Sequence, residues 1–244
     1  MRPWNRGRRT LRNFLLALLL AALVYASQGF PPYTVGGMCR QMSHDYLLGE
    51  LEPLYVQRDW VRLGRNRSKR YTRVAARSGN TYVIFRYEDG LLGSHLDSWR
   101  GPNPAIEEGA VCRAWGGTIY AAGPFEEAAS ATATVRVQKT LESTGRVVGR
   151  EFVLEGERLA NQVFAFPYEM GSHFPEDEGR AYGNMTLPEL VDLWYRRPAP
   201  NGDSGVYYSQ NAELPCVVTL YGASGEVLET LERTVTANGI RSWW

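Results

Sequence analysis

Residues 131–138 read Ala131-Thr132-Ala133-Thr134-Val135-Arg136-Val137-Gln138, and this stretch decides the fold. Ala131, Ala133, Val135 and Val137 fall on one side of an extended chain; Thr132, Thr134, Arg136 and Gln138 fall on the other. Successive side chains of a strand point to opposite faces, so the alternation predicts an antiparallel strand with one face buried and one wet. Ser143-Thr144-Gly145 then turns the chain into a partner, Arg146 to Leu154, in which Val147, Val148, Phe152 and Leu154 are the expected core.

The same pattern recurs on either side. Tyr82-Val83-Ile84-Phe85-Arg86-Tyr87 is rich in β-branched and aromatic residues and forms a hairpin with Tyr71 to Ala76 through Ser78-Gly79-Asn80. Asn161 to Phe166 is a further strand. Val217 to Tyr221, Ala223-Ser224-Gly225 and Val227 to Val235 make a closing hairpin, although the four-residue spacing of Val227, Leu231 and Val235 also suits a helix. Its turn shares the spacing Gly-x-Val-apolar with the turn after residue 143, which raises an internal duplication as one reading. Thr186 as N-cap, with Pro188 and Glu189 in the first turn, predicts a short helix near 187–195. The fold class expected is mainly β and sandwich-like. Two β-rich regions, 67–170 and 171–244, follow a helical stem over 31–66, in which Met38, Cys39, Met42, Tyr46 and Leu47 mark an amphipathic helix.

Ahead of the stem lies the strongest single signal. Phe14 to Ala26 is apolar apart from the Tyr25 hydroxyl, and the head before it carries Arg2, Arg6, Arg8, Arg9 and Arg12 with no acid. An apolar run behind a basic head is a targeting segment, and the positive charge stays on the cytoplasmic side. We therefore expect a basic cytoplasmic tail (1–13), a transmembrane signal anchor (14–30) and a body outside the cytoplasm. Asn13 to Phe30 gives ~27 Å of helix, enough to span with slight bilayer thinning. Pro31-Pro32 stops the helix, and Phe30 and Tyr33 suit an interfacial belt. The alternative is a secreted product cleaved after Ala26.

The chain has 244 residues, 44% of them hydrophobic, and a net charge of +1. This suits one large or two small domains and excludes a disordered chain. A balance so near neutral argues against nucleic acid as the partner. Without the five arginines of the head, 22 bases face 26 acids. Cys39, Cys112 and Cys216 allow three single bridges, each leaving one thiol over. They include no C-x-x-C pair and show no zinc spacing, so no metal or cofactor is expected.

Catalytic signatures are scarce. His44, His95 and His173 each follow a serine, but adjacency in sequence does not make a triad, and no G-x-S-x-G occurs. Glu176-Asp177-Glu178 lacks the spacing of a calcium loop. The unusual cluster is basic: Arg58, Arg62, Arg65, Arg67, Lys69, Arg70, Arg73 and Arg77, with Trp60 and Tyr71 interleaved. Outside the cytoplasm, Arg65, Arg67, Lys69, Arg70 and Arg73 would meet anionic lipid or envelope polymer. Trp99, Trp115 and Trp194 read as core, whereas Trp243 and Trp244 at the chain end are the candidate aromatic contacts. The sequence thus points to an anchored, non-enzymatic binding or surface-assembly module. The rival is an exported hydrolase of envelope polymers working through an unassigned carboxylate pair, marked by a cleft with facing carboxylates or a carboxylate against an arginine.

Overall fold

The computed structural model describes residues 4–27, 31–62, 68–91, 93–97, 104–140, 147–169, 184–198, 207–209 and 212–240. Helix α1 (Trp4–Ser27) comes first, and its window Arg9–Ala26 is long and apolar enough to cross a membrane, with none of it buried against the rest of the chain. Helix α2 (Val35–Asp45) follows, capped by the Thr34 hydroxyl accepting from the Gly37 N–H at 3.1 Å. Pro31 to Thr34 joins the two helices and is docked against the body. The Tyr25 hydroxyl donates to the Pro31 carbonyl at 2.9 Å and its ring stacks on Tyr33, while the Ser94 N–H donates to the Pro32 carbonyl at 2.7 Å. A Cβ on Gly93, which has φ +113°, would come within 2.7 Å of the Pro31 carbonyl oxygen, so only glycine allows this approach.

The body is three antiparallel sheets and a small ribbon. The first sheet takes β1 (Glu52–Arg62), β2 (Ser68–Ser78), β3 (Thr81–Gly90) and β4 (Gly93–Leu96) in that order, with β5 (Ala105–Glu108) also pairing on β3. Gly79, at φ +58°, holds the first central position of the two-residue β2–β3 turn. The second sheet has β6 (Val111–Trp115), β7 (Thr118–Ala122), β10 (Glu157–Ala160) and β11 (Val163–Pro167), ordered β10-β11-β7-β6. The third has β8 (Ser130–Thr140), β9 (Val147–Glu155), β14 (Glu213–Tyr221) and β15 (Val227–Thr236), ordered β15-β14-β8-β9. Strands β12 (Arg196–Pro198) and β13 (Tyr207–Ser209) form the ribbon; α3 (Leu187–Tyr195) and α4 (Ala237–Ile240) complete the set.

Three apolar clusters set the layers. Met38, Cys39 and Met42 of α2 pack on Val74, Ala76, Val83, Phe85 and Tyr87 of the first sheet. The other face of that sheet, through Ala75, Tyr82 and Ile84, meets Val111, Trp115, Tyr120, Ala122, Val163 and Ala165 of the second. The far side of the second sheet packs on the third and on α3 and α4, through residues such as Ala114, Phe164, Val135 and Leu190. The second sheet is therefore covered on both faces, and all five residues of β6 are buried.

Several expectations are refined. Alternation along β8 is as predicted, with Ala131, Ala133, Val135 and Val137 buried. Both closing segments are strands, so the helical reading of Val227 to Val235 does not hold. In β9 the even positions face inward and Val147 is 59% exposed, because adjacent residues of a strand cannot both face one core. The helical stem expected over 31–66 ends early: residues 52–62 form β1, held by an extended pairing with β2. Leu47, expected on the buried face of α2, is 94% exposed and adopts φ +54° just past the helix end. Strands from both sides of residue 170 build the third sheet. The two hairpins with the shared turn spacing lie side by side within it, β14 against β8.

Candidate functional site

Strand register assembles the site. Lys69, Tyr71, Arg73 and Ala75 share one face of β2, and pairing sets Tyr71 opposite Glu88, Arg73 opposite Arg86 and Ala75 opposite Ile84. Along this face the character changes from exposed Lys69 to half-buried and buried charge, and then to the closed apolar core at Ala75 and Ile84. The second sheet faces it with Arg113 and Trp115 of β6 and Tyr120 of β7, which pairs with Arg113. Three arginines thus lie between the two sheets: Arg73, Arg86 and Arg113 are all classed as buried.

Two of them have acidic partners. Arg73 Nη1 lies 2.6 Å from Asp59 Oδ2 and donates to the Tyr120 hydroxyl at 2.8 Å, and that hydroxyl donates to Gln57 Oε1 at 3.1 Å. Arg86 Nη2 is paired with Asp97, both side chains being about 5% exposed or less. Its guanidinium carbon sits 4.8 Å from the Tyr71 ring centre and 5.3 Å from that of Trp115. Desolvation lowers the Arg86 pKa, against the pull of Asp97.

Arg113 differs. Its guanidinium carbon is also 5.3 Å from the Trp115 ring centre, so Trp115 carries two cations. At 4% exposure, its Nε and Nη2 have no hydrogen-bond partner among the described residues. Burial first, and the like charge of Arg86 second, bring its pKa down to about 10, with Asp97 acting in the opposite sense. Contact with an aromatic face contributes roughly 0.5–2 kcal/mol, less than the several kcal/mol that removing an ion from water costs. The cluster carries one more positive than negative group, with donors to spare.

Of the five basic residues expected to meet an anionic surface, three are described. Lys69 pairs with Glu88 at 2.6 Å at the open end of the inner face, Arg70 with Asp89 at 2.7 Å, and Arg73 is inside. Arg65, Arg67, Trp243 and Trp244 lie outside the described residues, as do Trp99, His173 and residues 176–178. Trp115 is buried, as read. Among the described residues no three His, Cys, Asp or Glu side chains are placed to share a metal ion. Arg86 and Arg113 were missed as site residues, although each is a lone cation in an apolar run, Ile84 to Tyr87 and Val111 to Trp115. In a strand covered on both faces, such a cation is taken out of water whichever way it points.

Elsewhere a concavity of about 500 Å³ is lined by Glu107, Thr134, Arg136, Glu151, Glu232 and Arg233 among others. Arg233 Nε lies 3.1 Å from Glu107, whose carboxyl is nonetheless raised, chiefly by desolvation. Arg136 holds Glu151 at 2.5 Å. Comparison with protein-family models, with curated proteins and with solved structures finds no match to this chain.

Proposed function

We propose that the chain is a single-pass membrane protein, amino terminus in the cytoplasm, whose β-rich body lies outside. The body would serve as a non-enzymatic module binding an oxyanion-bearing ligand between its first two sheets. Helix α1 supports the anchoring half: its window Arg9–Ala26 is apolar enough to span and uncovered, and the five arginines all lie at or before position 12, which favours a cytoplasmic amino terminus. Extraction with alkaline carbonate should leave the full-length chain in the membrane pellet; a soluble product beginning near Ser27 would refute retention.

The binding half is carried by two donor atoms of buried Arg113 that have no partner among the described residues. A guanidinium fork matches the paired oxygens of carboxylate or phosphate. The ligand would enter past Lys69, displace water, and balance the surplus charge of Arg86 and Arg113 around Trp115. Anionic lipid headgroups and envelope polymers present that chemistry outside the cytoplasm. The full-length protein in neutral detergent is titrated with inorganic phosphate, with phosphatidylglycerol vesicles and with an anionic polysaccharide, at constant ionic strength. Saturable binding in at least one arm, weakened at least tenfold by Arg113→Met and little changed by Arg136→Gln, is expected. Equal binding by wild type and Arg113→Met in every arm, or none in any, would overturn the proposal.

The rival, an exported hydrolase of envelope polymers, is favoured by one observation: the groove in which Glu107, its carboxyl kept protonated to higher pH by burial, faces Arg233. Release of soluble fragments from wall polymer by the wild type, abolished by Glu107→Gln, would establish it in place of the binding reading.

A further inference from the structure

The three cysteines are all buried and all thiols, and they are placed very differently. Cys39 sits on α2 within the α2-to-first-sheet cluster, while Cys112 of β6 and Cys216 of β14 belong to the cluster between the second and third sheets. Strand pairing sets Cys216 opposite Arg233 of β15, and Arg233 Nε donates to the carbonyl of Ala110, two residues before Cys112, at 2.7 Å. This bond draws β15, and β14 beside it, onto β6. Cys112 and Cys216 are thereby held in the same buried cluster, where the neighbouring Cys216 thiol and burial together push the Cys112 thiol well up.

We infer that Cys112 and Cys216 form a disulfide joining β6 of the second sheet to β14 of the third, leaving Cys39 as the single thiol. Of the three bridges the sequence allows, this is the one whose partners the fold brings together. The reaction is thiol–disulfide exchange with a small or protein disulfide as oxidant. One thiolate attacks the oxidant, releasing its first thiolate and giving a mixed disulfide. The second protein thiolate then attacks the protein sulfur of that mixed disulfide and releases the oxidant's other thiolate. Two protein thiols become one disulfide, and the oxidant disulfide becomes two thiols. Both sulfurs are closed off in the folded chain, so the exchange takes place before the third sheet docks. The inference takes its oxidant from an exported location and in that respect rests on the function proposed above.

The full chain, purified in detergent, is denatured in the presence of a thiol-blocking reagent and its blocked thiols counted by intact mass, with peptide mapping to identify any linked pair. One blocked thiol, Cys39, and a linked Cys112–Cys216 peptide are expected. If all three are blocked, a separate, unblocked sample is unfolded and refolded in glutathione disulfide. A Cys112–Cys216 bond formed then supports the pairing and counts against the exported location alone. No bond, or a bond to Cys39, overturns the pairing. A reductant should lower the melting temperature of the oxidised wild type by on the order of 10 °C, as expected for a closed loop of about 100 residues. It should leave the double variant Cys112→Ala/Cys216→Ala unmoved; equal shifts in both would also count against the bond.

Discussion

Asp97 and Arg113 lie at the same buried cluster, yet removing their charges should have opposite consequences. Asp97 is paired with Arg86, and it also acts on Arg113 in the stabilising direction. Asp97→Asn keeps the shape and removes the negative charge, leaving two buried guanidiniums without that carboxylate. Breaking a buried pair from one side costs about 3–5 kcal/mol, equivalent to a fall of roughly 10–15 °C in melting temperature for a chain of this size. Arg113→Met keeps an unbranched chain against Trp115 and removes the charge whose donors are unsatisfied. It gives up a cation–aromatic contact of roughly 0.5–2 kcal/mol and relieves a desolvation cost of similar or greater size, so its net effect should stay within about 1 kcal/mol of wild type. Urea unfolding of the full chain in detergent, followed by near-ultraviolet circular dichroism, measures both. An Arg113→Met variant that loses as much stability as Asp97→Asn would refute the reasoning, since it would mean that the Arg113 charge is fully compensated in the fold.

Other consequences are smaller. Thr186 and Glu189 cap α3 reciprocally, the Glu189 carboxylate accepting from the Thr186 N–H at 2.8 Å and the Thr186 hydroxyl from the Glu189 N–H at 3.5 Å; Thr186→Ala should cost about 1 kcal/mol in the same unfolding assay. Leu47→Gly should raise stability by roughly 1 kcal/mol, because Leu47 is exposed and held at φ +54°, where a Cβ is penalised; a loss on substitution would show that the leucine side chain contributes more than the strain removes. The raised carboxyl of Glu107 means that the folded chain holds this proton after the unfolded chain has released it. Its stabilising contribution is therefore complete below the ordinary glutamate value of about 4.3 and is lost as pH rises through the folded value. Stability measured against pH should decline less over that range in Glu107→Gln; parallel curves would refute the assignment.

How much was legible depended on where water lay. Strand β8 was readable because one face is wet, so Thr132, Thr134 and Arg136 alternate with Ala133, Val135 and Val137. Strands β6 and β7 gave no such pattern: with Val111 to Trp115 buried on both faces, periodicity vanishes even though the strand is central. Strand β1 was hidden by its charge, since Arg58, Asp59 and Trp60 look like a solvated stem until pairing with β2 turns Asp59 inward toward Arg73. The cap at Thr186 was legible because it is local. The arginine cluster was not, because Arg73, Arg86 and Arg113 come from three strands that only tertiary pairing brings face to face, and nothing in a linear cluster of basic residues distinguishes the member that turns inside.

The docked connection between α1 and the body has a mechanical consequence. Tyr25 touches Pro31 and Tyr33, and Pro32 accepts from Ser94 at the Gly93–Ser94 end of β4, so these contacts form a joint between the helix end and the first sheet. Through that joint the membrane-side end of the chain would orient the first sheet rather than trail it on a slack leash. Widening the residue at position 93 would loosen that joint and uncouple the two.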